Sequence, residues 1–342
     1  MSPSHRKGVL RAALLAFLFP LSGVSQDPMT SRILITGSRI DVSIDPEFAA
    51  STSRVSADDL LAWIHSAAES VAAYYGRYPV PQLTLRVASF PGRGVRNGRT
   101  FGDRDGAMIV IKVGNETLAE ALKSDWMLTH EMVHLAFPSV HGDHHWIEEG
   151  ISTYVEPIAR VRAGRFDAAE MWAEVVRDIP QGLPGPGDRG LDHTHTWGRT
   201  YWGGALFCLL ADVDIRRRTH NRKGLDDALR GILSAGGDIR SDWDLARALR
   251  TGDKAAGVSV LVPLYKRMKD SPSPVDLSAL WKEMGISLDG KHVVFNDQAP
   301  LAAARAAITA PAAVSIRRPA AIARPVAVFA GHDAGPLPPH RR

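Results

Sequence analysis

Between residues 33 and 44, apolar and polar side chains alternate, with Ile33, Ile35, Ile40, Val42 and Ile44 set around a Gly37-Ser38 break. A period of two predicts two strands, or one bent strand, burying one face. The period then changes. Ser56-Ala57-Asp58-Asp59 opens a helical pattern that runs to about Tyr75 and stops at Gly76, with the Ser56 hydroxyl suited to cap the first free N–H groups. Leu83, Leu85 and Val87 alternate again between Pro81 and Pro91, and residues 107–113 form a β-rich run between Gly106 and Gly114. The stretch between them, residues 91–105, is rich in Gly and Arg and reads as an irregular loop. A helix is expected after Asn115, carrying Leu118, Leu122, Trp126, His130, Val133 and His134 until Pro138 stops it. The order β-α-β-β-α packs that helix under a small sheet whose last strand directly precedes it. Later segments are mostly helical, at residues 200–218, 224–234, 243–250, 260–269 and 277–284, and no internal repeat is present. The expected fold class is α+β.

Both ends depart from these patterns. His5, Arg6, Lys7 and Arg11 accompany an apolar stretch, residues 12–21, that is too short to span a bilayer; small residues including Gly23 and Ser25 follow. Residues 1–25 are therefore read as an export signal cleaved near Ser25, with a short uncleaved anchor as the alternative. The mature protein is expected to be periplasmic or secreted, with no membrane span after signal removal. From residue 310 to residue 342 the chain is rich in Ala, Pro and Arg without a sustained period, as in a disordered basic tail. Between the two ends lie an N-terminal α/β part, residues 30–140, and a helical part, residues 141–305. The 342 residues, 45% of them hydrophobic, suffice for one sizeable core or two small ones. Net charge is +4 and the sequence pI is near 9.3. The basic residues are scattered, apart from Arg216-Arg217-Arg218, Arg317-Arg318 and Arg341-Arg342, and no aromatic-basic motif accompanies them, which argues against nucleic acid as a partner. The lone Cys208 excludes an intrachain disulfide and a Cys-rich zinc site, and its apolar neighbours predict a buried thiol.

Candidate chemistry is concentrated in His130-Glu131-Met132-Val133-His134. Helix positions i and i+4 stack on one face. His130 and His134 can therefore point at one metal ion, with Glu131 beside them able to reach an activated water. This HExxH spacing is that of zinc sites with two imidazole ligands and a carboxylate general base. A second carboxylate from a following helix, Glu148 or Glu149, would complete a His2Glu set and leave one position open. His141, His144 and His145 are either extra ligands or a polar loop between two site helices.

Taken with Trp146-Ile147-Glu148-Glu149-Gly150, the motif resembles the gluzincin pattern, in which a Trp-x-x-Glu-Gly block supplies the third ligand. Tyr201-Trp202-Gly203-Gly204-Ala205 is similar to the Tyr-x-x-Gly block of the same superfamily. Leu225-Asp226-Asp227-Ala228-Leu229-Arg230, after Asp214-Ile215-Arg216-Arg217-Arg218, resembles a helical segment of the glycyl aminopeptidase family; the aminopeptidase N family shares the first two blocks. The resemblance covers about residues 100–235 in the right order. It implies a thermolysin-like zincin catalytic domain, a small mixed sheet over the HExxH helix, followed by a mostly helical subdomain. It also implies one Zn2+ per chain on His130, His134 and Glu149, with Glu131 as general base and Tyr201 stabilising the oxyanion. His193 or His195 of Asp192-His193-Thr194-His195 is an alternative for that last role.

Two departures bear on specificity. Fourteen residues separate His134 from Glu149, a shorter gap than is usual in aminopeptidase N relatives. Gly106-Ala107-Met108 looks like the start of their Gly-Ala-Met-Glu-Asn strand, yet Ile109-Val110 stand where the amine-binding Glu and its neighbour would be. The expected activity is zinc-dependent hydrolysis of peptide bonds, with substrate extended along the 107–113 strand. Aminopeptidase specificity is not carried over. The alternatives are a catalytically silent zinc-binding protein on a peptidase fold, or a zinc hydrolase of non-peptide amides or esters.

Overall fold

The alternation at the start of the chain resolves into an antiparallel hairpin, β1 (Met29–Ile35) and β2 (Ser38–Ile44), paired from Met29↔Ile44 to Ile35↔Ser38. Its two-residue turn puts Thr36 and Gly37 at φ of 46° and 85°, the left-handed backbone that suits the twist of a tight hairpin. The computed structural model describes residues 27–49 and 53–311. The export signal expected at residues 1–25 lies outside the described residues, as does the expected tail beyond residue 311.

Helix α1 (Ala57–Tyr75) begins with a capping box: the Ser56 hydroxyl accepts from the Asp59 N–H at 3.1 Å, and the Asp59 carboxylate accepts from the Ser56 N–H at 3.0 Å. It ends at Gly76 in the left-handed conformation. Strands β3 (Gln82–Phe90), β4 (Val95–Asp103) and β5 (Gly106–Gly114) follow. The five strands form one mixed sheet in the order β1-β2-β3-β5-β4, with β2, β3 and β5 parallel and the two outer strands antiparallel to their neighbours.

Strand β4 replaces the irregular loop expected at residues 91–105. Its glycines and arginines hide the period, and pairing with β5 makes it a strand, Thr100 opposite Ile109 and Phe101 opposite Met108. The register slips between Arg96 and Arg99, where Asn97 takes φ 52°, as at a β-bulge. The two residues between the strands are Arg104 and Asp105, and Asp103 Oδ1 closes the turn by accepting from the Asp105 and Gly106 N–H groups, at 2.9 and 3.1 Å.

One sheet face is apolar and buried, built from Ile40, Val42, Leu83, Leu85, Ile109 and Ile111 with their neighbours. The single helix expected after Asn115 is two helices, α2 (Ala119–Lys123) and α3 (Met127–His134). Asp125 breaks it: its Oδ2 accepts from the Leu128 N–H at the start of α3 and from Trp63 Nε1 of α1, both at 3.2 Å. The start of α3 is thereby tied to the helix beside it.

The rest is mostly helical: α4 (His145–Arg162), α5 (Ala168–Asp178), α6 (Gly204–Arg218), α7 (Leu225–Ser234), α8 (Leu245–Ala256), α9 (Leu261–Met268), α10 (Leu277–Met284) and, after a hairpin of β6 (Ile286–Asp289) and β7 (His292–Phe295), α11 (Ala302–Thr309). The helix expected over residues 200–218 begins as a π-helical turn, Arg199–Gly203, before α6. Helices α4 and α6 cross at Gly150 and Gly204, where a Cβ on either residue would run into the other's backbone. One continuous apolar core runs from β1 to α11, and among the described residues no helix is long and apolar enough to cross a membrane.

Candidate metal centre and active cleft

Helix α3 is two turns long and buried, and it carries His130, Glu131 and His134 with His130 only 5% exposed. Helix α4 packs against it and brings Glu149, 8% exposed, to the two imidazoles. Glu149 Oε2 lies 3.1 Å from His130 Nε2 and 3.5 Å from His134 Nε2, and one donor atom from each residue falls within a span of 4.8 Å. The other carboxylate oxygen meets His145 Nε2 at 3.2 Å.

Electrostatics reflects this crowding. Burial alone would raise the Glu149 carboxyl, but hydrogen bonds from His130, His134 and His145 outweigh it and hold the group far below its usual range. Burial lowers His130 despite its bond to Glu149; for His134 burial also lowers, but the Glu149 hydrogen bond and the Glu149, Glu131 and Glu148 charges together outweigh it and the imidazole is raised. Hydrogen bonds to Glu148 and then Glu149 push His145 up to about 10. A carboxylate kept ionised in a buried nest of imidazoles fits a cation. Two imidazole nitrogens and one carboxylate oxygen are a borderline-soft donor set of the kind zinc takes in sites with an open fourth position. The residues present therefore fit the implied metal.

The neighbouring histidines divide by contact. His145 bridges Glu149 and Glu148, with Nδ1 3.1 Å from Glu148 Oε2. Glu148 itself turns away from the cluster and accepts from the Val140 N–H at 3.1 Å. His141 is exposed beside Asp143. His144 Nδ1 lies 3.1 Å from Asp192 Oδ1, and the same carboxylate accepts from Trp146 Nε1 at 2.8 Å and from the Tyr265 hydroxyl at 2.7 Å. Asp192 thus fixes the start of α4, a role the sequence left unmarked. His193 is on the surface with Asp270 at 3.0 Å, His195 is exposed, and neither lines the cleft, so neither is placed to stabilise an oxyanion there.

Tyr201 does line it. It projects from the π-helical turn, a device frequent at functional sites, and its ring stacks on His130 at 6.3 Å and on Trp197 at 5.6 Å. The turn is anchored by Arg199, buried with Asp188 at 2.7 Å. Burial first, and then the Glu149 and Glu131 charges, push the Tyr201 hydroxyl up to about 12.

The cleft over the cluster has a volume of about 1100 Å³ and runs between β4, α3, α4 and Ile239. Strand β5 lies between β3 and β4, so its main chain is already paired on both sides. The expectation that substrate lines residues 107–113 is therefore corrected: the free edge beside the cluster is β4. The likeness of Gly106-Ala107-Met108 to a substrate-binding strand falls with it, because Ile109 faces the core. Along β4 the only carboxylate is Asp103, engaged in the hairpin turn. Two β4 residues that the sequence reading missed touch Glu131. Thr100 Oγ1 lies 2.6 Å from Glu131 Oε2, and Gly98 packs on the Glu131 side chain so closely that a Cβ would sit 2.6 Å from Oε1.

No protein-family model matches the sequence, and no curated protein matches it. Solved structures do match. An aminopeptidase N family protein from Idiomarina loihiensis superposes over 76% of this chain and 49% of its own, with a TM-score of 0.56 and 12% identity. An M1 zinc metallopeptidase from Deinococcus radiodurans matches over 73% of this chain and 55% of its own, with a TM-score of 0.44 and 14% identity. Legionella pneumophila aminopeptidase A, in complex with aspartic acid, matches over 72% and 28%, with a TM-score of 0.44 and 12% identity. The chain spans about half of the length of the first two and under a third of the last. The likeness to the first shows that the described residues have the mixed α+β fold of aminopeptidase N-like structures.

Proposed function

We propose that this protein is an exported zinc-dependent metallopeptidase, with a thermolysin-like catalytic domain in which residues 30–140 carry the HExxH helix and residues 141–305 carry the third ligand and Tyr201. The observation that carries the reading is the convergence of His130, His134 and Glu149 in one cleft with Glu131 and Tyr201. Export rests on the sequence of residues 1–25 alone.

His130, His134 and Glu149 would hold one Zn2+, which supplies Lewis acidity and lowers the pKa of a water toward ~7. The remaining work belongs to side chains of the chain. Glu131 takes a proton from the attacking water as the new C–O bond forms, and delivers it to the leaving nitrogen as the C–N bond breaks. Tyr201, its hydroxyl protonated at neutral pH, donates to the oxygen of the scissile carbonyl as negative charge develops there. A peptide would lie extended against β4 and pair with its free main-chain groups, as in strand addition to a sheet edge. Since β4 offers no free carboxylate for a terminal amine, we favour cleavage that does not require a free N-terminus.

Glu131→Gln tests the assignment, because it keeps the shape of the base and removes its basicity. Stoichiometric zinc is expected to remain while hydrolysis of a peptide library falls to background. Wild-type rates in that variant would sink the reading. Zinc binding by the native protein without any cleavage would favour a silent zinc-binding protein, and cleavage confined to non-peptide amides or esters would favour the other hydrolase. Product analysis on peptides with blocked N-termini checks the specificity.

A further inference from the structure

A glutamate on a helix has its Cβ fixed by the backbone but not its carboxylate, whose last torsion is broad. A general base must nevertheless sit within about 3 Å of the proton it takes. Something has to aim Glu131, and no residue of its own helix does so. Among the described residues its carboxylate has one side-chain hydrogen-bond donor, Thr100 of β4, with Oγ1 2.6 Å from Oε2 and 2.9 Å from the Glu131 main-chain oxygen. The hydroxyl has one proton for two acceptors. The shorter contact, to the carboxylate, has the length of a charge-assisted bond.

Thr100 is itself held firmly. Its branched Cβ restricts χ1, and its main chain is registered against Ile109 in the middle of the β4–β5 ladder. Gly98, two residues earlier, lies against the other carboxylate oxygen and leaves room for it only because it has no Cβ. The carboxylate is thus enclosed by two residues of a single strand, and that strand carries the free edge beside the cluster.

We infer that Thr100 is a positioning residue: its hydroxyl, presented by the edge strand, holds the Glu131 carboxylate in the orientation that proton transfer requires. Seating a substrate and aiming the base then depend on the same element. The inference rests on the peptidase reading of the site and adds to it the residue that orients the base.

Thr100→Val removes the hydroxyl and keeps the branched shape; Thr100→Ser keeps the hydroxyl. In the zinc-loaded full chain, the Val variant is expected to lose ~10- to 100-fold in kcat on a defined peptide with KM within about twofold of wild type. Zinc content is expected to be unchanged, and the Ser variant to recover kcat to within about threefold of wild type. Crystal structures of the zinc-loaded wild type and Val variant supply a readout that needs no turnover, and the Glu131 carboxylate is expected to leave its wild-type position. A carboxylate that stays in place overturns the inference whether or not any peptide is cleaved. Equal losses in the Val and Ser variants overturn it as well, since they assign the effect to methyl packing. An inactive wild type would count against the peptidase reading alone, and the crystallographic comparison would still decide the role of Thr100.

Discussion

Tyr201 keeps its proton across the pH range in which a zinc hydrolase would work, because burial and then the Glu149 and Glu131 charges push its hydroxyl up to about 12. Such a phenol is a hydrogen-bond donor beside the cluster. Tyr201→Phe removes that donor while the ring can still stack on His130 and Trp197. The expected result is a fall of ~10²- to 10³-fold in kcat with zinc content and KM little changed, read from steady-state kinetics. An unchanged kcat would reduce Tyr201 to a packing residue. In the sequence Tyr201 stood out only through its resemblance to a known block. Thr100 and Gly98 did not stand out at all, because the contact with Glu131 spans thirty-one residues and no local period encodes it. Asp192 was noted only as the neighbour of two histidines, and it is the carboxylate that three side chains share.

Among the elements, β1, β2, β3 and α1 were legible because each has one buried face and so shows its period directly, and β5 because a β-rich run sits between two glycines. Strand β4 is only partly buried along its length, and its Gly and Arg content masks an alternation that pairing creates. Helix α4 carries a second titratable feature within the fold. Burial pushes Glu156 up to about 7 although Arg160 sits 3.0 Å away. The folded protein therefore binds a proton at Glu156, between about pH 4.5 and 7, that the unfolded chain does not. Stability is favoured at the acid end of this window and declines as pH rises through it. Denaturant titrations of wild type and Glu156→Gln at pH 5 and pH 8 isolate the effect. The difference is expected to move against the wild type at pH 8, by up to about 3 kcal/mol. A pH-independent difference would mean that Glu156 stays ionised beside Arg160 throughout.

On the scale of the whole molecule, the three candidate ligands come from two helices with different surroundings. Helix α3 lies against β4 and α1, while α4 crosses α6 among the later helices. A metal on His130, His134 and Glu149 would tie the sheet-bearing part of the core to the helical part. Binding only to the folded state stabilises it, by about 2.7 kcal/mol at a free metal concentration of 100 times Kd. Chelation is therefore expected to lower the Tm by several °C, and added zinc to restore it. Glu131→Gln should keep this zinc-dependent shift, whereas Glu149→Ala should lose it. Melting curves with and without chelator check both, and an identical Tm in each condition would show that the cluster holds no metal.

The sequence by itself determined what is local. It set the strand periods, the Ser56 cap and the Gly76 stop of α1, and the i, i+4 placement of His130 and His134, because backbone geometry dictates which residues share a face within one element. Tertiary structure decided which elements meet. Strand order made β4 the free edge and enclosed β5, and the approach of α4 to α3 brought Glu149, the carboxylate that the resemblance implied, to the two imidazoles and set His145 against it. These outcomes depend on packing and long-range pairing, for which neighbouring residues along the chain carry no fixed pattern.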